Sequence, residues 1–139
     1  MSIHFNFEEV DEFSLQRRNI KNWIKSAAVN ENKKVGEIQY IFCSDAYLLK
    51  INKKFLKHDY FTDIVTFDYD EKNILSGDVY ISIDRIKENA EIFKVEFNNE
   101  LLRVIIHGIL HLIGYNDKSD SEQKIMTGKE NYYLSTYIF

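Results

Sequence analysis

The sequence predicts a single α/β domain: a roughly four-stranded mixed sheet, about five helices, and a buried central helix that carries a pair of histidines. Three observations predict it. Runs rich in β-branched and aromatic residues interleave with segments of helical period, in the order β-α-β-α-β-β-α-α-α. Residues 101–113 are apolar almost all round, the pattern of a helix buried on every side. The chain has 139 residues and is 45% hydrophobic, a size and core content expected for one domain over residues 1–139.

The elements follow in order. Residues 3–7 alternate apolar and polar, as a strand does. From residue 12 to about 30, Phe13, Ile20, Trp23, Ile24 and Ala27 recur at helical spacing. Residues 30–36 are polar and read as a loop, and residues 37–43 as a second strand. Ser44 is a candidate N-cap for a helix with Leu48, Ile51 and Phe55 on one face. Residues 64–69 predict a third strand, and residues 78–83 a fourth in which Val79, Ile81 and Ile83 point one way. Residues 70–77 between them fit a hairpin connection. Ser82 or Asp84 then starts a helix with Ile86, Ala90 and Phe93 inward. Gly114 stands at the C′ position of the apolar helix. Ser119 and Glu122 match a capping box for a last helix that buries Met126, Tyr133 and Tyr137.

Composition excludes several classes. The single cysteine, Cys43, rules out an internal disulfide and a Cys-based zinc site, and reads as a buried strand residue in a reducing cytosol. No apolar run approaches the roughly 18 residues of a spanning helix, and the N-terminus lacks the basic and apolar regions of a signal peptide. A cytoplasmic location is the expectation. A net charge of −4 is wrong for a generic nucleic-acid coat, so any RNA or DNA contact must use a local basic face.

The informative segment runs His107-Gly108-Ile109-Leu110-His111-Leu112-Ile113-Gly114-Tyr115-Asn116-Asp117. His107 and His111 are i and i+4, so on a helix they share a face, with Cα atoms about 6 Å apart at 1.5 Å rise per residue. Two imidazoles at that spacing can converge on one ion. Gly114 and Asn116 let the chain turn back and bring Asp117 to the same point. Two His and one carboxylate, with the fourth position open, is the donor set of a catalytic zinc. The competing reading is a pair of core or partner-contact histidines, which would leave buried imidazoles unpaired at some cost. Gly108 stands where the protease motif His-Glu-x-x-His has its general base, so a peptidase of that kind is disfavoured. A small residue there is expected to let backbone or substrate approach the ion.

This segment resembles the signature of the YbeY endoribonucleases, His-Gly-x-Leu-His-Leu-x-Gly-Tyr-Asp-His. Two further family motifs are similar in order and spacing: Thr62-Asp63-Ile64-Val65-Thr66-Phe67, and Gly77-Asp78-Val79-Tyr80-Ile81-Ser82. An upstream Asn-x-x-Tyr/Phe element is matched by Asn52 to Phe55. The resemblance covers roughly residues 35–130. It implies a single α/β domain, one bound Zn²⁺ per chain, and cleavage of single-stranded RNA. It also implies a role in 16S ribosomal RNA 3′-end maturation and ribosome quality control, with the 30S subunit as partner. Two positions depart from the family. Asp117 stands where the family has its third histidine, and Asp is a competent zinc ligand. Leu56 stands where the family carries an arginine that resembles a phosphate contact. Lys57 and His58, at the next positions, are the candidates to contact phosphate in its place.

Other residues have two readings. Lys50, Lys53, Lys54, Lys57 and His58 form a basic run that could track an RNA backbone or simply be a solvated face. Arg17, Arg18, Lys21 and Lys25 read as a solvated face. Asp78 is expected to cap a turn, and Asp63 either caps a turn or orients a ligand imidazole. The aromatic tail from Tyr132 reads as helix packing rather than base stacking. Three functions remain open at this level: a metal-dependent endoribonuclease, a metal hydrolase of an amide or small substrate, and a non-catalytic ribosome-assembly protein with a structural metal.

Overall fold

The computed structural model describes residues 2–56, 62–69 and 71–137. The described chain is one α/β domain with a four-stranded mixed sheet and five helices. The elements are β1 (Ser2–Glu8), α1 (Arg17–Asn30), β2 (Lys34–Cys43), α2 (Asp45–Leu56), β3 (Ile64–Asp68), β4 (Ile74–Ser82), α3 (Ile83–Phe93), α4 (Phe97–Ile113) and α5 (Asp120–Thr136). The sheet order is β1-β2-β4-β3; β1, β2 and β4 run parallel and β3 is antiparallel to β4. The element order is the one the sequence predicts.

The main core lies on one face of the sheet. Ile38, Tyr40 and Phe42 of β2 and Val79 and Ile81 of β4 pack there with Ile105, Ile106 and Ile109 of α4. α4 is buried along nearly its whole length, as its unbroken apolar pattern requires. Tyr40 donates its hydroxyl hydrogen to the Ile105 carbonyl at 3.0 Å, which satisfies a polar atom inside the core. A smaller cluster joins Cys43, Leu48 and Val65.

Gly108 serves this packing rather than the approach of a substrate. A Cβ built there would lie 2.9 Å from Val79 Cγ1 and 3.1 Å from Ile64 Cδ1. The missing side chain is what lets α4 press against the sheet. Gly108→Ala is therefore expected to destabilise the fold by about 1–3 kcal/mol through overpacking, measured by denaturant titration. Unchanged stability would show that Val79 and Ile64 can give way.

Several predicted details shift, each for a local reason. α1 starts at Arg17, not residue 12. Phe13 is held outside the helix by edge-on contacts with Phe7 and Phe97, at ring separations of 5.1 and 5.8 Å, so its helical spacing is incidental. β4 begins at Ile74, inside the expected loop. Asn73, at φ 62°, makes the turn, and Leu75 then pairs with Val35 of β2. Ile83 starts α3 rather than ending β4, with Ser82 as N-cap. Phe55 and Phe93 point outward, at 56% and 61% exposure. The buried face of α2 is Leu48 with Asn52 instead. Asp78 caps no turn: it sits mid-strand opposite Phe67 and accepts from the Tyr69 hydroxyl at 3.3 Å.

The predicted caps hold. The Ser44 hydroxyl accepts from the Tyr47 amide at 3.0 Å, and Ser119 with Glu122 forms the reciprocal capping box. Arg17 and Lys21 lie over the Phe5 ring, at 6.0 and 5.9 Å, as surface cations covering an aromatic edge. Among the described residues no helix is long and apolar enough to cross a membrane.

Candidate metal centre

The site is built at the C-terminal end of α4. Gly114, at φ 125°, ends the helix in a conformation that L side chains rarely adopt. The amides of Gly114 and Tyr115 both turn back to the Leu110 carbonyl, at 3.1 and 3.0 Å. The reversal carries Asp117 across the helix end to the two histidines. Asp117 Oδ2 lies 3.2 Å from His107 Nε2 and 3.3 Å from His111 Nε2. One donor atom from each of the three residues lies within 4.8 Å of the others, an arrangement that can hold a metal ion.

The outer ring nitrogens are fixed by other groups. His107 Nδ1 is 2.5 Å from Glu130 Oε2 on α5. Glu130 is itself held by Arg103 Nη1 at 2.8 Å, and Arg103 Nη2 reaches Asn131 Oδ1 at 2.8 Å. His111 Nδ1 is 3.0 Å from the Tyr115 carbonyl. A carbonyl only accepts, so His111 Nδ1 carries the hydrogen and a neutral His111 presents a bare Nε2 lone pair. That lone pair faces a carboxylate oxygen. Two acceptors at this separation need a cation or a proton between them, and the donor set suits a divalent ion.

Electrostatics differ between the two rings. Burial and the neighbouring His107 hold the His111 pKa below its ordinary value, which favours the neutral, ligating form. Burial also acts against protonation of His107. The hydrogen bond to Glu130 and the charges of Glu130, Asp117 and Asp63 outweigh it and raise that pKa. Burial raises the Asp63 pKa, with His107 opposing. Asp63 lines a cavity beside His107, but the orienting hydrogen bond to His107 comes from Glu130.

A second polar cluster braces the turn. Glu31, just past α1, accepts from the Tyr115 hydroxyl at 2.6 Å, from Lys129 Nζ at 3.1 Å, and from the Tyr133 hydroxyl. Tyr115 is thus gripped at its hydroxyl by Glu31 while its carbonyl orients His111.

Of the residues expected at the site, His107, His111 and Asp117 come together. Lys57 and His58 lie outside the described residues. Leu56 ends α2 at 38% exposure. Lys50, Lys53 and Lys54 are exposed on α2, with Lys54 Nζ 5.3 Å from the Phe55 ring centre. Cys43 is buried on β2, and burial pushes its thiol pKa up to about 12, which makes it no nucleophile. In the aromatic tail, Tyr133 and Tyr137 are packed in the core and Tyr132 is half exposed. Glu130 and Arg103 were missed. The available signal was a charge inside the apolar stripe of α5: Met126, Glu130 and Tyr133 follow helical spacing, with Tyr137 at the C-cap, and all four are buried.

Fold and site together define a small α/β protein with a His–His–Asp cluster that can bind a metal ion at the end of its central helix. A family model described as Endoribonuclease YbeY matches residues 3–138. The Endoribonuclease YbeY of Parabacteroides distasonis is 47% identical over 135 residues, covering 97% of this chain and 95% of the relative. That of Flavobacterium psychrophilum is 48% identical, covering 97% and 96%. The solution structure of TM1509 from Thermotoga maritima superposes with a TM-score of 0.67 at 30% identity, covering 94% of this chain and 87% of that one. The chain belongs to the YbeY endoribonuclease family.

Proposed function

We propose that this protein is a zinc-dependent, single-strand-specific endoribonuclease of the cytoplasm, formed by one domain over residues 1–139. On this reading it acts in 16S ribosomal RNA 3′-end maturation and ribosome quality control, on the 30S subunit. The observation that carries it is the convergence of His107, His111 and Asp117, with both outer ring nitrogens already engaged. Family membership supplies the substrate class.

His107 and His111 contribute Nε2, and Asp117 a carboxylate oxygen, to one Zn²⁺ per chain. A bound divalent ion supplies Lewis acidity there, polarising a phosphoryl oxygen and acidifying water. Glu130 and the Tyr115 carbonyl fix the ring orientations, and Arg103 fixes Glu130. Asp117 brings a negative charge where the three-His relatives bring none, so the net site charge is about +1 instead of about +2. Lys50, Lys53 and Lys54 give an otherwise acidic chain a local cationic face on α2, and Lys57 and His58 follow them in the sequence as the candidates for phosphate contact.

Cleavage of matched single-stranded and duplex RNA, with metal-loaded and metal-stripped protein, tests this reading. Cutting is expected only of the single strand and only with metal. If about three phosphates are neutralised, log affinity falls with log salt at a slope near −2, from roughly −0.7 per contact. Full-rate cleavage by stripped protein sinks the proposal. RNA binding without cleavage by loaded protein favours the assembly-factor reading, with Leu56→Arg the first change to make.

A further inference from the structure

A cavity of about 570 Å³ opens beside His107, a volume within the usual range for small-ligand sites. It is walled by apolar groups, among them Phe93, Val95 and Val104, and by polar side chains that include Glu100, Arg103 and the carboxylates of Asp63 and Glu130, the last already held by Arg103. Glu100 is only 4% exposed, yet no described residue donates a hydrogen bond to its carboxylate. Among the described residues no fully buried side-chain polar atom lacks a partner, so what access the carboxylate retains is to the cavity it lines. A carboxylate in that position is an acceptor awaiting a donor. Burial pushes its pKa up, opposed by Arg103.

Arg103 is the complementary group. It spends one N–H on Glu130 and one on Asn131, and a guanidinium has five. Glu100 and Arg103 are i and i+3 on α4, so they share one helix face, and His107 follows one turn later. Glu100 therefore lies about 10 Å along the helix axis from the metal-ligand candidate. Phe93, at 61% exposure, is an exposed aromatic side chain lining the cavity, a residue type on which bases stack.

We propose that this cavity is a base-recognition subsite that takes a guanine flanking the cleaved phosphodiester, with Glu100 accepting from its N1–H and N2–H and Arg103 donating to O6. Guanine alone among the four bases presents a ring N–H beside an amino N–H, the pair a carboxylate can accept at once. Adenine and cytosine place an acceptor next to the amino group, and uracil has no amino group. The inference rests on the endoribonuclease reading for its substrate, and goes beyond it in assigning base preference to named residues.

The test uses the metal-loaded protein and needs no variant to begin. Oligoribonucleotides identical except for one guanosine, inosine or adenosine are cleaved, and GMP, IMP, AMP, CMP and UMP are compared by calorimetry. The link beside guanosine is expected to be cut about tenfold faster than beside inosine, which lacks the amino group, and GMP to bind tightest. Glu100→Gln replaces one acceptor by a donor and is expected to erase the guanosine-over-inosine ratio. Phe93→Ala, at an exposed position, is expected to weaken GMP several-fold. Equal cutting beside guanosine and inosine, with GMP and IMP binding alike, overturns the subsite and leaves the nuclease standing. Selective GMP binding by a protein that cuts no RNA keeps the subsite and overturns the nuclease.

Discussion

A His107→Ala, His111→Ala double variant is expected to lose its ion completely, from one divalent metal per chain to none by elemental analysis of protein purified without added metal. Both rings direct Nε2 at the same carboxylate oxygen, at 3.2 and 3.3 Å, so removing both leaves Asp117 alone at 38% exposure. A lone, partly solvated carboxylate does not hold zinc. RNA cleavage should vanish with the metal. The graded variants make the assignment specific. Asp117→Ala should lose most of the affinity, and Asp117→His should keep it by restoring a third imidazole. Glu130→Gln leaves all three donors in place but weakens the acceptor that orients His107, so affinity should fall about 10- to 100-fold, the range for groups that support a ligand from behind. Unchanged stoichiometry in the double variant would sink the site. Unchanged affinity in Glu130→Gln would sink only the orienting role.

What the sequence made legible was whatever depends on near neighbours in the chain. The His pair, the glycine turn and Asp117 span eleven residues, and helix periodicity plus one left-handed position is enough to bring them together. The order of elements was legible for the same reason. Boundaries failed where tertiary contacts overrode local pattern. Phe13 has helical spacing but is captured by Phe7 and Phe97 from outside a helix. Ile74 and Leu75 look like part of a loop but pair with Lys34 and Val35, which nothing nearby in the sequence announces. Gly108 invited a reading as a gap beside the ion, because only the fold reveals Val79 and Ile64 behind it. The supports of the site were the hardest to see. Glu130 is 23 residues from His107, and Glu31 is 84 from Tyr115, so both contacts exist only once α1, α4 and α5 are packed.

Glu31 carries the second large expectation, because it ties those three helices together at the turn. Glu31→Gln should cost about 2–3 kcal/mol of folding stability at pH 7, since it removes the charge from an acceptor shared by Tyr115, Tyr133 and Lys129. Its side chain is 10% exposed while that of Lys129 is 36% exposed, so solvent screens the lysine pair and most of the loss comes from the two tyrosine hydrogen bonds. The effect has a pH signature. Burial works to raise the Glu31 pKa, but the hydrogen bonds from Tyr115, Tyr133 and Lys129 outweigh it and hold the pKa below its ordinary value of 4.5. A carboxylate whose pKa is depressed by folding contributes stability that is present in full above the unfolded value. That stability is lost as pH falls through the lower, folded value. The gap between the wild-type protein and Glu31→Gln should therefore be widest from neutral pH down to about 5, and close in acid. Denaturant titrations across that range measure it, and a gap that stays constant into acid contradicts the charge-based account. The same substitution loosens Tyr115, whose carbonyl orients His111, so metal affinity should fall about tenfold even where the protein remains folded. Stability lost with metal affinity untouched would confine Glu31 to holding the fold, and would show that the turn's own bond from the Tyr115 amide to the Leu110 carbonyl is enough to hold the Tyr115 carbonyl on His111.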